Sequence, residues 1–497
     1  MKKIQIFLTL TLTILVMSGC KKDLLDVKNL NEPNFATVYA NGSDLENLTS
    51  GLFNTVYQGT HNFAGVEMML ATAADMVSCS WGNQAMRDMS WEPRNFAWSN
   101  SPSYAYNRTT YDYFNNMYSA INTSSNVLKA INNGTDVGAA GAGNNRVKAV
   151  SKFIQGVAYG NLALVFDKAF LVDETKTVPG EISSAVDFQQ ISIAALSYLD
   201  EAISLSNNTF TLPKSWLGTT ADMSNVEFRK LINTYAARLM SYLPRNKTQL
   251  AAVNWAKVKT YADAGITADF NVVNDGYTQW YDEAGDYLVY NGWGVTDMYV
   301  VNMMDPTKPA HWDDTPTFPY PTPSTNPLDK RLNTDFEYLA SNWFQAARGY
   351  YHYSAYRFKR YDQFYVNPNG PLVEVAKAEN DMLRAEARAY TADLTGAALI
   401  INASTRKTRG QMPDVLPVLT DLVNAIQHER FVELYTTGMG IQFFEMRKLN
   451  LLQKGTPLHL PLPAKTLETF GVPLPFYTFG SLSAPQDGVN TSNAGWR

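Results

Sequence analysis

The chain of 497 residues is poor in cysteine and has little excess charge of either sign. Its two cysteines, Cys20 and Cys79, cannot build a disulfide framework, so the fold must be stabilised by packing. The 41 basic and 46 acidic residues give a net charge of −5, and there is no long basic run. Because binding to a nucleic-acid backbone depends on clustered positive charge, we expect no nucleic-acid partner.

The sequence also lacks the motifs of common hydrolases and nucleotide-binding enzymes. It contains no G-x-S-x-G elbow and no Walker A sequence, and Val432 stands where a zinc-protease helix starting at His428 would need a second histidine. We therefore predict no catalytic residue, no cofactor and no metal site. A calcium site at Asp282, Glu283 and Asp286 is an alternative. It is the weaker one, because these residues lack the spacing of an EF-hand loop.

Aromatic side chains, in contrast, are abundant. The 10 Trp, 28 Tyr and 24 Phe make up 12% of the chain, while the hydrophobic fraction of 45% and the charged fraction of 18% are ordinary for a folded protein. Trp and Tyr stack on flat ligands while one polar edge stays in contact with water. The composition thus indicates a folded protein with more aromatic side chains than its core requires.

The N-terminus has the pattern of an export signal. Lys2 and Lys3 precede an apolar stretch over 4–16, which is too short to span a bilayer as a helix. The following Met17-Ser-Gly-Cys20 resembles the lipobox at which bacterial lipoproteins are cleaved and acylated. We therefore predict a signal peptide at 1–19, lipid attachment at Cys20, and an extended lipidated tether at 20–42.

The spacing of apolar residues predicts a mainly α-helical fold of stacked, tetratricopeptide-like helix pairs with long irregular loop insertions and minor β structure. One domain is expected over 43–497, with helix pairs at 43–266 and 372–437. Between and after them we expect an irregular ligand-binding insertion at 267–371 and an irregular tail at 458–497. The longer helices are expected at 111–131, 147–166, 186–205, 226–243, 255–264, 374–390 and 415–436. Ser43 and Glu46 have the spacing of a capping box, which predicts that the first helix begins at Ser43.

One stretch near the C-terminus has a recognisable pattern. It reads I-Q-H-E-R-F-V-E-L-Y-T-T-G over 426–438 and F-F-E-M-R over 443–447. With the lipobox and the helix pairs, it resembles the SusD/RagB family of surface lipoproteins of Bacteroidota, and segments 254–262, 329–331 and 378–387 also look like the family. The matching motif residues are Glu429, Arg430, Glu433, Gly438 and Arg447. Departures at Thr437, Gly440 and Phe444-Glu445 indicate a divergent subgroup.

The resemblance implies a binding protein and not a catalyst. Its members are lipid-anchored at the cell outer membrane, face the exterior, and form a lid on a SusC-like TonB-dependent transporter to which they deliver oligosaccharides or other nutrients. Glu429, Arg430 and Glu433 lie within one helical turn of each other, so we interpret them as a structural ion-pair network and not as an acid–base pair.

Two aromatic regions are candidates for glycan binding. Sugars present apolar C–H faces with hydroxyl edges, so a binding surface needs flat rings flanked by polar side chains. The candidate residues are Trp81, Asn83, Arg87, Trp91 and Trp98 in the first region, and Tyr290, Trp293 and Trp312 in the second. The tyrosine-rich run at 350–365 alternates like a β-hairpin strand, and we interpret it as scaffold.

Two other functions remain open from the sequence. The ligand could be a peptide or a glycoprotein fragment, because aromatic and amide side chains serve either ligand. A surface glycoside hydrolase is the alternative from another class, and it would need two carboxylates about 5 to 9 Å apart. Hydrolysis of a glycan panel distinguishes the enzyme from the binding protein.

Overall fold

The computed structural model describes residues 38–79, 83–176, 184–311, 322–341, 352–481 and 487–497. The predicted signal peptide at 1–19, Cys20, Trp81 and Trp312 lie outside these residues, as do most of the tether and the side chain of Asn83. The fold is mainly α-helical with small two-stranded sheets, which confirms the predicted fold class. Within the described ranges, no helix combines the length and the apolar character needed to cross a membrane.

The N-terminal half contains the longest helices. In chain order they are α1 Gly42–Ser50, α2 Leu52–His61, α3 Glu67–Ala73, α4 Met86–Ser90, α5 Arg108–Asn132, α6 Asn144–Val165, α7 Phe188–Leu205, α8 Lys214–Leu217, α9 Asn225–Tyr242, α10 Lys247–Ala251 and α11 Trp255–Asp263, with 3-10 turns at Asn83–Ala85 and Ala139–Gly141. The predicted helices of this half from 111 onward are present, and their ends differ from the prediction by three residues or fewer.

The first helix begins one residue earlier than predicted because Asn41, and not Ser43, caps it. The Asn41 Oδ1 atom accepts hydrogen bonds from the backbone N–H and the hydroxyl of Ser43, each at 3.0 Å. The capping-box prediction at Ser43 is therefore wrong, since an asparagine two residues upstream supplies the acceptor that the helix start needs. The helix then ends at Gly51, and the chain continues as the separate helix α2.

The C-terminal half combines shorter helices with the longest strands. The helices are α12 Glu283–Val289, α13 Met298–Met304, α14 Arg331–Thr334, α15 Asp362–Val366, α16 Lys377–Tyr390, α17 Leu394–Asn402, α18 Thr405–Thr408, α19 Leu419–Val432, α20 Ile441–Lys448 and α21 Ala464–Thr469. The strands among the described residues are β1 Val77–Cys79, β2 Lys168–Ala169, β3 Val186–Asp187, β4 Thr211–Leu212, β5 Met223–Ser224, β6 Phe270–Asp275, β7 Gly294–Thr296, β8 Phe336–Tyr338, β9 Tyr356–Phe358 and β10 Asn369–Val375. They pair antiparallel as β1–β7, β2–β3, β4–β5, β6–β10 and β8–β9.

The stretch 267–371 therefore holds short helices and strands where the sequence predicts irregular chain. Elements of three to seven residues are too short for a hydrophobic period to identify them. The strand pairs matter for function because β7 ties this stretch to β1, which belongs to the N-terminal half, while β6 and β10 join the two ends of the stretch to each other.

The helices stack side by side. α5 packs on α6, α6 on α7, α7 on α9 and α9 on α11, and α11 packs on α16, which in turn contacts α17 and α19. The contact of α6 with α7 is close because residue 156 is glycine, where a Cβ atom would lie 2.6 Å from the side chain of Leu199. One large apolar core runs through the stack, and a smaller one lies between α16, α17 and α19. This rigid body carries the irregular segments.

Candidate functional site

The pairing of β1 with β7 brings the two predicted aromatic regions together. Cys79 lies opposite Gly294 and Val77 opposite Thr296, so the first region leaves β1 at the point where the second region enters β7. The helix α4, which belongs to the first region, packs on β1. Two segments more than 200 residues apart in sequence thus meet at this strand pair.

The clearest exposed aromatic surface is formed by Tyr290 and Trp293, which we call the aromatic shelf. Their exposed fractions are 53% and 37%, and their ring centroids lie 4.4 Å apart with an angle of 32° between the planes. The buried ring of Tyr287 packs behind Trp293 at 4.5 Å. Two adjacent rings of which one is half exposed can contact the apolar face of a ligand.

A helix end and a tight turn hold the shelf in place. Asp282 caps the start of α12 by accepting a hydrogen bond from the backbone N–H of Gly285 at 2.8 Å. Tyr290 ends the same helix, and its carbonyl accepts a hydrogen bond from the backbone N–H of Trp293 at 3.3 Å. Gly292 has φ of +86°, a left-handed conformation that glycine adopts without strain, and this turn places both rings side by side.

A pocket of about 290 Å³ opens beside Tyr290. It is lined by Asp286, Val289, Tyr290, Asn291, Arg357, Asp362, Tyr365 and Val366. Asn291, Asp362 and Arg357 offer hydrogen-bonding groups next to the Tyr290 ring, and Val366 is 86% exposed. A flat ring with polar groups at its edge is the arrangement that sugar ligands require.

The polar groups of the pocket are fixed by their own contacts. Arg357 donates two hydrogen bonds to the Asp362 carboxylate, at 2.8 and 2.6 Å, and one to Glu337 at 2.8 Å. The hydrogen bonds to Asp362 and the neighbouring charges raise the pKa of the Arg357 guanidinium. Burial raises the pKa of the Asp286 carboxyl, whose partner is the hydroxyl of Tyr281. Polar atoms held in this way can bind a ligand without first being ordered.

The three acidic residues considered for a calcium site each accept a hydrogen bond from another group of the protein. Asp282 caps α12, Asp286 accepts the Tyr281 hydroxyl, and Glu283 Oε2 accepts the backbone N–H of Phe63 at 2.8 Å. In the part of the chain that the structure describes, no group of three or more His, Cys, Asp or Glu side chains has an arrangement for a metal ion.

The first aromatic region forms a second, smaller patch. The Arg87 guanidinium lies 5.1 Å from the centre of the half-buried Trp91 ring, and Phe96 meets that ring edge-on at 5.5 Å. Phe96 is 51% exposed, so the patch continues beyond Trp91. The contribution of Trp81 and Asn83 to it stays a prediction, since the Trp81 position and the Asn83 side chain lie outside the described residues.

Trp98 lies in the core and not at the surface. It is 3% exposed, and its ring meets Tyr104 edge-on at 5.3 Å. Its backbone N–H donates to the carbonyl of Phe479 at 3.0 Å, which fixes the segment against the C-terminal tail. The expectation that Trp98 contacts a ligand does not agree with this burial, because a ring enclosed by protein offers no face to a sugar.

Several residues of the pocket are not predicted by the sequence. Arg357, Asp362, Tyr365 and Val366 come from β9 and α15, which the tyrosine-rich run led us to interpret as scaffold. Among the described residues of the run, the strand prediction is correct only for β9, which pairs with β8, because the chain from Asp362 onward forms the helix α15. Strand β9 also reaches the pocket through Arg357, and no local pattern in the sequence indicates this contact.

Glu429 and Glu433 hold distant parts of the chain together. Glu429 accepts two hydrogen bonds from Arg331, at 2.7 and 2.8 Å, and both side chains are almost fully buried. Glu433 lies within salt-bridge distance of three guanidinium groups, those of Arg331, Arg360 and Arg409. The partners lie on α14, near α15 and after α18, so the ion pairs cross-link segments that the helices alone would leave apart.

The other motif residues are buried as well. Arg430 donates to Glu386 at 2.7 Å and forms a salt bridge with Glu445 at 2.5 Å. Arg447 donates instead to backbone carbonyls, those of Leu164 and Tyr242 among them, at 2.8 and 2.9 Å. Burial therefore lowers the pKa of the Arg447 guanidinium well below its usual value. These contacts support a structural role.

Gly438 allows the turn between α19 and α20. Its φ is +73°, and a Cβ atom at this position would lie 2.7 Å from Cδ1 of Ile441. A larger residue would need a strained backbone and would also displace a buried side chain, so glycine is the residue that fits.

A buried group of titratable side chains supports the start of α12. His61 Nε2 lies 2.9 Å from the Glu374 carboxylate. Burial alone lowers the pKa of His61, but the carboxylates of Glu374, Asp282 and Glu67 together outweigh burial and raise the pKa to about 10. Burial raises the pKa of the nearby Glu67 carboxyl to about 8, and both this carboxyl and Asp282 contribute to the field at His61.

The sequence matches no protein-family model and no curated protein. Solved structures, however, match nearly the whole chain. A SusD superfamily protein from Parabacteroides distasonis superposes with a TM-score of 0.60 over 86% of this chain and 98% of its own, at 12% identity. A SusD superfamily protein from Bacteroides vulgatus gives 0.58 over 87% and 91%, at 14% identity.

A third match carries a functional description. A SusD-like carbohydrate binding protein from Bacteroides fragilis gives a TM-score of 0.57 over 82% of this chain and 86% of its own, at 14% identity. At such low identities the match concerns the fold. The fold implied by the resemblance of the C-terminal motif is thereby confirmed, and the chain has the fold of the SusD-like proteins.

Proposed function

We propose that this protein binds oligosaccharides on the aromatic shelf and in the adjoining pocket, without cleaving them. The observation that carries the proposal is the pair of exposed, adjacent rings of Tyr290 and Trp293 beside fixed hydrogen-bonding groups. A sugar ring would lie on Tyr290 or Trp293, and its hydroxyl groups would bond to Asn291, Asp362 or Arg357.

The similarity in fold to the SusD-like carbohydrate binding protein from Bacteroides fragilis supports the same assignment. The Trp91 patch, with Arg87 and Phe96, follows β1 in the chain and would extend the binding surface for a longer ligand. A ligand of several sugar units would then contact both patches, while a single sugar would use the shelf.

The N-terminal pattern and the family resemblance support a site of action at the cell surface. A lipid on Cys20 would anchor the protein at the cell outer membrane, and the tether would present the binding surface to the exterior. From there the ligand would pass to a SusC-like TonB-dependent transporter, on which the protein would act as a lid.

A binding screen tests the proposal. The full-length protein is titrated calorimetrically with a panel of oligosaccharides and peptides, and each mixture is analysed for cleavage products. We expect binding to one class of glycan with no products. Cleavage would favour the glycoside hydrolase, and binding of peptides alone would favour capture of peptide fragments.

Variants locate the site. Loss of a stacking ring costs about 1 to 3 kcal/mol in the comparable case of bases stacked on aromatic side chains. Tyr290→Ala and Trp293→Ala should therefore weaken binding by about five- to 150-fold, with an unchanged unfolding temperature. Ile193→Ala removes a 68% exposed apolar side chain on α7 and serves as the control. Phe96→Ala should weaken binding only for the longer oligosaccharides.

A further inference from the structure

A second pocket, with no residue in common with the first, lies between α18 and α19. Its volume is about 440 Å³, within the range of roughly 300 to 1,000 Å³ that small-molecule sites occupy. It is lined by Leu328, Arg406, Met412, Pro413, Asp414, Val415, Leu416, Asp421, Asn424, Ala425 and His428. The ion pairs of Glu429 and Asp329 form its floor behind Arg406 and His428.

The Arg406 guanidinium is the unusual group in this pocket. Its side chain is 11% exposed, and among the described residues neither Nε nor Nη1 has a hydrogen-bond partner. The nearest carboxylate oxygen, Oε1 of Glu429, lies 3.6 Å from Nη1 and already accepts a hydrogen bond from Arg331. Burial lowers the pKa of the Arg406 guanidinium. The ion pair of Arg406 with Glu429 is long and shared with Arg331, so the buried charge is only partly compensated, and a ligand in the pocket would supply a further partner.

The other charged groups around the pocket do not supply this partner. Asp414 is bound by Lys407 at 2.7 Å, and His428 Nε2 lies 2.7 Å from Asp329. Asp421 is exposed in the first turn of α19 and makes no ion pair within the described residues. Arg331 faces Arg406 from behind Glu429 and adds positive charge.

The remaining walls are apolar. Leu416 and Leu328 are 63% and 46% exposed at the rim, while Met412 and Ala425 are buried at the base. A ligand that pairs with Arg406 would therefore place carbon atoms against these side chains, and burying that apolar area would add to its affinity.

We propose that this pocket binds a small ligand with a carboxylate group attached to an apolar surface, and that the carboxylate pairs with Arg406. A charge-assisted hydrogen bond between a carboxylate and this guanidinium would be about twice as strong as a neutral one. Two sources offer this chemistry: acylated amino acids and short peptides, or uronic acids with their C–H faces. The site is independent of the aromatic shelf.

Calorimetric titrations of the full-length protein test the proposal with three probes: N-acetyl-leucine, its amide N-acetyl-leucinamide, and glucuronate. We expect N-acetyl-leucine or glucuronate to bind, and the uncharged amide to bind at least about tenfold more weakly than the acid, since a charged hydrogen bond is lost. Preference between the two acids then assigns the source of the ligand.

Variants connect the binding to this pocket. Arg406→Gln should weaken binding of the acid by at least about tenfold, whereas Arg108→Gln, which removes the same charge from a 75% exposed position, should not change it. Asn424→Trp fills the pocket from an exposed position on α19 and should abolish binding even if Arg406→Gln does not fold. Tyr290→Ala should have no effect. The proposal is overturned if neither acid binds, if the amide binds as tightly as the acid, or if Asn424→Trp binds like the native protein.

Discussion

Replacement of Glu429 by alanine tests the structural role of the C-terminal motif. The carboxylate accepts two hydrogen bonds from Arg331, and the Arg331 side chain is fully buried. Alanine at 429 removes both bonds and leaves part of a buried positive charge uncompensated. We therefore expect a clear loss of folding stability, with no separate effect on ligand binding at the aromatic shelf.

The size of the loss follows from the partners that remain. Removing one side of a buried ion pair costs about 3 to 5 kcal/mol when the other side is left without compensation. Arg331 keeps Asp329 at 2.6 Å and Glu433 at 3.0 Å. We therefore expect the lower end, a decrease of about 3 kcal/mol in the free energy of unfolding.

Urea-induced unfolding followed by circular dichroism and by tryptophan fluorescence measures this decrease, provided that the two transitions coincide. Glu468→Ala is the matched control, because its ion pair with Lys465 is largely exposed and should contribute less than about 1 kcal/mol. A Glu429→Ala protein as stable as the Glu468→Ala protein would refute the structural interpretation.

Three further predictions concern the core, the buried titratable group and the anchor. Trp98→Ala should lower the free energy of unfolding by about 3 to 5 kcal/mol and leave glycan affinity unchanged, as measured by urea unfolding and calorimetry. The raised pKa of His61 means that the folded state holds its proton between pH 6.5 and about 10, so stability should fall as the pH rises through this range. That fall should be smaller in His61→Gln, and equal slopes would contradict the assignment. Cys20→Ser should move the protein from the membrane fraction to the soluble fraction, and continued membrane retention would contradict lipid attachment.

Helical periodicity was sufficient to predict the long helices. Each helix from α5 to α11 that exceeds seven residues carries apolar side chains at helical spacing, and this local signal survives in the fold. Helix starts are less predictable, because Asn41 and Ser43 are both good capping residues and only the local chain path decides between them.

The ligand surface could be predicted in part. Tyr290 and Trp293 have the expected exposure, but Trp98 has the same chemistry and lies in the core. Burial depends on which distant segment covers a ring, and here the C-terminal tail reaches Trp98 through Phe479. Arg357 and Asp362 were not predicted for the same reason, since β9 meets α12 only in the folded protein.

The partners of the motif around Glu429 also could not be predicted from the local sequence. Its spacing suggests ion pairs within one helical turn, whereas Glu429 pairs with Arg331 and Arg430 with Glu386, 98 and 44 residues away. The sequence identifies charged residues that need partners, but long-range contacts determine which partners they have.

The most direct test of the central claim is the affinity of the protein for its best-bound glycan, measured by calorimetry for the native chain and for Tyr290→Ala combined with Trp293→Ala. We expect binding without cleavage in the native protein and a loss of at least about tenfold in the double variant, with an unchanged unfolding temperature. Equal affinities would show that the aromatic shelf is not the binding surface.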